Sequence, residues 1–191
     1  MIDLHEALTQ VRRARRNQDV VITTMAAARA WMELGTHPLD FVFVPSCMGH
    51  ATSFGLGIAM AQPARRVIVC NGDGSMLMNL GSLVTIAAQA PENLVVIVLD
   101  NGVYEVTGAQ QVPGRADFAA LARGSGFVSV HHFAEAEEWS NNVDRVLTAL
   151  GPVFVWLEVE PVPGRQGPKS PGPAAVRAQA FMDALRGERR T

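Results

Sequence analysis

Cysteine is nearly absent from this chain. Cys47 and Cys70 are the only two in 191 residues, which excludes a disulfide framework and any zinc site built on thiolates. Both are most simply free thiols in the core. An excess of one charge is missing too. Sixteen basic and 18 acidic side chains leave a formal net charge of −2, so no nucleic-acid tail or acidic partner is indicated. No apolar run reaches the length that crosses a bilayer. The opening "MIDLHEALTQVRRARR" lacks the apolar region of a signal peptide, so a cytoplasmic protein is expected. No internal repeat occurs.

What is present reads as one soluble globular unit, nearly half apolar (48%) and long enough for a single substantial core. Residues 1–160 are expected to form the ligand-binding domain, with 161–191 a C-terminal loop and helix packed on it. Leu4, Ala7, Leu8 and Val11 fall at helical spacing, and Asp3 with Glu6 resembles a capping box. Arg12, Arg13, Arg15 and Arg16 read as one solvated face of that helix. "VVIT" (Val20 to Thr23) is a predicted strand, followed by a helix through "AAARAWMEL" to Gly35. "FVFV" (Phe41 to Val44) is the next strand, ended by Pro45. "ATSFGLGIAMA" is a predicted helix whose small residues allow close approach to a sheet. "RVIVC" and "LVVIVL" are continuous apolar runs, the mark of parallel strands covered on both faces. Then come a helix at "ADFAALARGSG", a strand at "FVSV", a helix at "AEAEEWSNNVDRVLTAL" and a strand at "VFVWLEV". His131 and His132 read as surface residues following a strand. "PVPGRQGPKSPGP" has the composition of a long loop, before a last helix at "AAVRAQAFMDALRG".

This alternation predicts an α/β fold: an open, doubly wound, mostly parallel sheet with helices on both faces. Ligands in such folds gather beyond the carboxyl ends of the strands. That places Pro45–His50, Asn71–Ser75 and Asp100–Gly108 on one rim. A nucleotide-binding glycine-rich turn normally follows the first strand, and none follows "VVIT". Two buried strands instead end on oxygen-bearing side chains, at Asp73 and Asn101. Mg²⁺ takes hard oxygen ligands, usually one or two from protein with phosphate oxygens completing the shell. Gly72 and Gly74 permit close backbone approach, and a helix starting near Ser75 aims free N–H groups at an anion. Gly-Asp-Gly alone also suits an ordinary tight turn. Its pairing with Asn101 after the next strand points to a metal.

"GDGS", then a helix, a strand and "LDNGVYEVTG", resembles the cofactor motif of thiamine diphosphate enzymes. With "SCMGH", "GDGSMLMNLGSL" and "LDNGVYEVTGAQ", the chain resembles sulfopyruvate decarboxylase beta subunits and the C-terminal half of phosphonopyruvate decarboxylases. The resemblance implies thiamine diphosphate and Mg²⁺ as cofactors, with Asp73, Asn101 and the Val103 carbonyl on the metal. It implies Gly72, Gly74 and Ser75 against the diphosphate, and Gly49 and Tyr104 as further cofactor contacts. Met48 falls where the family supports the cofactor rings, a proximity device. Ordinary core filling is its alternative. His50 is a candidate to face substrate or donate a proton, or else is a solvated loop histidine. Glu105 and Thr107 are candidate pocket residues. In "TTMAAAR", Thr23 and Thr24 keep hydroxyls where the family carries a Gly- or Ser-containing turn, whereas Ala26 to Ala28 offer none.

The family's catalytic glutamate, supplied by a pyrimidine-binding domain, has no counterpart here; Glu6 and Glu33 lie in helices unlike that motif. The resemblance therefore implies half an active site. An alpha subunit would supply the glutamate in a hetero-oligomer acting on a small 2-oxo acid. Sulfopyruvate, giving sulfoacetaldehyde and carbon dioxide, is the expected substrate. Phosphonopyruvate, another 2-oxoacid decarboxylase or carboligase half, and a non-catalytic binding module are the alternatives. Arg115, Arg165 and Lys169 are candidate partners for the sulfonate or phosphonate.

Overall fold

A computed structural model describes residues 1–44, 48–114, 116–162 and 169–187. Pro45, Cys47, Arg115 and Arg165 lie outside the described residues. The chain runs α1 (Leu4–Ala14), β1 (Val20–Thr23), α2 (Met25–Glu33), β2 (Asp40–Val42), α3 (Ala51–Ala61), β3 (Val67–Gly72), α4 (Asp73–Leu77), α5 (Gly81–Gln89) and β4 (Leu94–Asp100). A hairpin of β5 (Val103–Tyr104) and β6 (Gln110–Gln111) follows, then α6 (Phe118–Gly124), β7 (Ser129–Phe133), α7 (Ala136–Thr148), β8 (Val153–Glu158) and α8 (Ala174–Arg186).

Six parallel strands form one sheet in the order β2-β1-β3-β4-β8-β7, so the expected doubly wound sheet is met. Side chains alternate across a strand, and both faces here are covered. Ile68, Cys70, Val95 and Ile97 meet Leu8, Trp31 and Trp139 of α1, α2 and α7. Val67, Val69, Val96 and Val98 meet Leu56, Leu83, Ile86 and Phe118 of α3, α5 and α6. That two-sided burial is why "RVIVC" and "LVVIVL" carry no alternation. Cys70 is a buried free thiol, as expected. Among the described residues, no helix is long and apolar enough to cross a membrane.

Three sequence readings need correction. The arginines of α1 are not one solvated face. Arg15 is buried against Asp40, with side chains 6% and 5% exposed, because Asp40 at the start of β2 also accepts from Trp31 Nε1 at 2.9 Å. Arg12 lies over the Trp31 ring, while Arg13 and Arg16 pair with Asp144 and Asp19. "FVFV" is strand only to Val42. Beyond it Val44 N–H turns back to the Val42 carbonyl, and the Arg177 guanidinium of α8 takes both carbonyls. "FVSV" is also displaced: Phe127 is a core anchor closing α6, its N–H donating to Ala122 O. The strand is Ser129–Phe133, so His131 and His132 are part of it. His131 is half-buried, and His132 stacks on Trp156 with centroids 4.0 Å apart.

The small residues of α3 separate into two kinds. A Cβ on Gly55 would fall onto Val69 Cγ2, whereas one on Gly57 would meet nothing within 4 Å. Val69 is fully buried and β-branched, so it cannot yield. Gly55→Ala is therefore expected to destabilise the fold by about 1–3 kcal/mol. Gly57→Ala is expected to be neutral, or stabilising by up to ~1 kcal/mol from helix propensity. Urea unfolding of the two variants beside wild type checks the pair.

Candidate active site

Between β1 and β3 the winding reverses direction, and there the strand ends open into a cavity of about 380 Å³. Crevices of this kind are where open α/β sheets bind ligands. β3 delivers Gly72 to the cavity and β4 delivers Asn101. The helix after β3 begins earlier than "near Ser75": Gly72 is the N-cap and Asp73 the first helical residue of α4. Asp73 is thus placed at the mouth by the strand end itself, only 3% exposed. Gly72 faces open space where a side chain would stand, so a ligand can reach its bare backbone.

The two oxygen-bearing residues are joined by one short turn. Gly102 N–H donates to Asp73 Oδ2 at 2.9 Å and to Asp100 Oδ1 at 3.1 Å, and Val103 N–H donates to Asn101 Oδ1 at 3.1 Å. The hairpin then sets the Val103 carbonyl. Gly102 and Tyr104 spend their carbonyls on Val112 and Ala109 N–H. A strand residue points its N–H and C=O to the same edge, so the Val103 carbonyl faces the edge where its N–H meets Asn101. Burial, reinforced by the neighbouring Asp100 carboxyl, pushes the Asp73 carboxyl up to about 7. A nearby cation would relieve that cost. Among the described residues no three His, Cys, Asp or Glu side chains are grouped to hold a metal alone. A cation here would rest on a carboxylate, an amide and a backbone carbonyl, leaving places for phosphate oxygens, and that donor set suits Mg²⁺.

The opposite wall is held by α4. Ser75 Oγ accepts from Gly49 N–H, and Asn79 Nδ2 donates to Gly49 O, both at 2.9 Å. Gly49 has φ +83, and a Cβ there would lie 2.9 Å from Asn79 Cβ, so this clamp accepts only glycine. Gly49 itself does not line the cavity, but its clamp holds Met48 there, 44% exposed. That exposure rules out core filling for Met48. Gly74 is required by packing: its Cβ would stand 2.5 Å from the Tyr104 ring. Ser75, Val103, Tyr104, Glu105 and Thr107 all line the cavity.

Other candidates fall elsewhere. His50 is exposed outside the cavity, its Nδ1 3.1 Å from Met48 O. Thr23 and Thr24 are buried, with hydroxyls that have no partner; Met25, Ala26 and Ala27 form that wall instead. Lys169 is exposed and is not among the lining residues. Sequence reasoning missed Met78, Gln110 and Gln111, which line the cavity through the α4–α5 bend and the hairpin. No periodic signal marks a two-residue strand.

A parallel α/β domain with these groups at its switch point belongs to the class that takes its ligands at the strand ends. The sequence profile of the C-terminal TPP-binding domain of thiamine pyrophosphate enzymes matches residues 19–157, and the chain belongs to that family. It is 40% identical over 171 residues to phosphonopyruvate decarboxylase of Streptomyces viridochromogenes, covering 87% of this chain but 43% of that protein. The chain thus spans less than half the length of that relative. It is 38% identical over 162 residues to sulfopyruvate decarboxylase subunit beta of Methanothermobacter thermautotrophicus, covering 84% of each. An X-ray structure from Mycobacterium smegmatis, assigned as a thiamin diphosphate-dependent enzyme, superposes with a TM-score of 0.68 over 84% of this chain and 32% of that one. At 20% identity it bears on the fold alone.

The raised Asp73 carboxyl has a consequence for stability. Its folded pKa lies above its unfolded value near 3.8, so in the ligand-free chain stability falls as pH rises from about 4 through the folded value. Asp73→Asn removes that loss. At pH 8 without metal the variant is expected to unfold higher than wild type, by about 2–4 °C per kcal/mol regained. At pH 4 the two should converge. Melting curves across pH check this.

Proposed function

We propose that this chain holds the diphosphate and Mg²⁺ of thiamine diphosphate as the beta subunit of a heteromeric 2-oxoacid decarboxylase. The observation that carries the reading is the convergence of Asp73, Asn101 and the Val103 carbonyl edge beside the bare backbone of Gly72. Asp73 and Asn101 would ligate the metal with the Val103 carbonyl. Gly72 gives the diphosphate close backbone approach, and Gly74 lines the same cavity with its bare side under the Tyr104 ring. Ser75 Oγ accepts from Gly49 N–H and keeps its own proton to donate to a phosphate oxygen. When bound, the cofactor supplies the electron sink for decarboxylation. Met48 would support the cofactor's rings, a positioning task. His50 is retained only as a group that a substrate at the mouth would reach.

A partner subunit is part of this reading. The cavity's charged lining among the described residues is Asp73 and Glu105; Glu105 has one oxygen on Val162 N–H at 2.8 Å and the other buried without a partner. Glu6 and Glu33 do not line it. The catalytic carboxylate is therefore assigned to the pyrimidine-binding domain of an alpha subunit. Met48, Met78 and Val106, 42–49% exposed around the opening, supply an apolar rim for that subunit to cover. No cationic side chain of the described residues lines the cavity, so cations for an anionic substrate come from outside that lining.

Sulfopyruvate is the proposed substrate, with sulfoacetaldehyde and carbon dioxide as products. The reading is supported by the 84% span of a relative named as a separate beta subunit. Phosphonopyruvate is the second reading, favoured by the 40% identity to that decarboxylase. Carbon dioxide release from each acid should be measured for this chain, the alpha chain and their mixture. Turnover is expected in the mixture alone, and faster with sulfopyruvate. Full turnover by this chain alone would overturn the half-site reading and turn attention to Glu105.

A further inference from the structure

We infer that Trp156 of β8 is a positioning residue for the cation site, acting through Asp100 on the turn that carries Asn101. The inference rests on the reading that Asp73 and Asn101 take a divalent cation. The turn is shaped locally by its own side chains: Asp100 Oδ1 accepts from Gly102 N–H, and Asn101 Oδ1 accepts from Val103 N–H. Those bonds set its curvature. The Asp100 carbonyl accepts from Val159 N–H at 2.8 Å, which pins the backbone at the end of β4, and two side-chain contacts from outside place the turn that follows. On one side Asp73 Oδ2 takes the Gly102 N–H at 2.9 Å. On the other, Trp156 Nε1–H donates to Asp100 Oδ2 at 2.9 Å.

The tether matters because there is room behind the turn. A second cavity, of about 230 Å³, is lined by Asp100, Asn101, Gly102, Trp156 and Glu158. Without the indole bond, the Asp100 carboxylate can swing into that space, and the turn beyond the pinned Asp100 carbonyl can follow it and carry the Asn101 amide. The indole is a firm post. Trp156 pairs with Val98 in the β4–β8 ladder, its ring stacks on His132 at 4.0 Å, and Phe118 meets it edge-on at 6.0 Å. A neutral donor also fixes the Asp100 carboxylate without adding a competing cation beside Asp73. Groups that orient a metal's ligands in this way commonly contribute an order of magnitude or more to metal affinity.

The test is Mn²⁺ binding to the full chain with thiamine diphosphate present, followed by electron paramagnetic resonance of the free ion. Trp156→Phe keeps the ring but loses the donor, and is expected to weaken Mn²⁺ about tenfold or more. Asp100→Asn should weaken it at least as much. The double variant should bind no worse than Asp100→Asn, because the indole acts only through that carboxylate. His132→Ala removes the stacking and leaves the hydrogen bond, and should stay within about twofold of wild type. Wild-type affinity in Trp156→Phe, additive losses in the double variant, or an equal loss in His132→Ala would each overturn the inference while leaving the cation reading intact. A wild-type chain that bound no Mn²⁺ would remove both.

Discussion

A carboxyl group that is almost fully buried at a strand end, with a second carboxyl beside it, is hard to ionise without a cation. Asp73 is in that position, and much of the surrounding architecture follows from keeping it there. β3 must run unbroken to Gly72, α4 must begin at once, and Gly102 must leave β4 with its N–H turned to Asp73. Gly74 must stay bare so that Tyr104 can close over α4. The Gly49 clamp then sets the opposite wall by hydrogen bonds to Ser75 and Asn79. Each is a local constraint that makes little sense for stability alone. Together they form a charged mouth on an otherwise apolar sheet.

The central fold was legible because parallel strands buried on both faces write themselves as uninterrupted apolar runs. β3 and β4 were read on that signal, and their faces divide cleanly between the two cores. The errors lie at the sheet's edges, β2 and β7, where an edge strand has one neighbour and its composition is freer. "FVFV" ran past its last ladder residue because Arg177, more than 130 positions away, takes the carbonyls that a further strand would have paired. Phe127 and Val128 mimicked a strand start, yet Phe127 serves the core and Val128 is 93% exposed. The histidines enter β7 because Trp156 offers His132 a ring to stack on. None of these partners is near in sequence.

The site was legible where chemistry demands a residue type at a fixed place after a strand. Asp73, Asn101, Gly72 and Ser75 share one cavity for that reason. Residues that act by position alone were harder to read. Asp100 was noted only as the start of a rim segment, since its importance lies in the Trp156 bond formed across the sheet. His50 follows Met48 by two positions, but the Gly49 clamp turns the chain there and leaves the imidazole outside. Met48, Met78 and Val106 leave an exposed apolar rim around the cavity.

The central claim is that this chain binds thiamine diphosphate through a metal held by Asp73 and Asn101. Calorimetric titration of the cofactor into the full chain, at Mg²⁺ concentrations from none to saturating, tests it most directly. The account predicts affinity that rises with Mg²⁺ in wild type and no longer responds to Mg²⁺ in Asn101→Ala. Equal cofactor affinity with and without Mg²⁺ in wild type, or an unchanged Mg²⁺ response in Asn101→Ala, would contradict it.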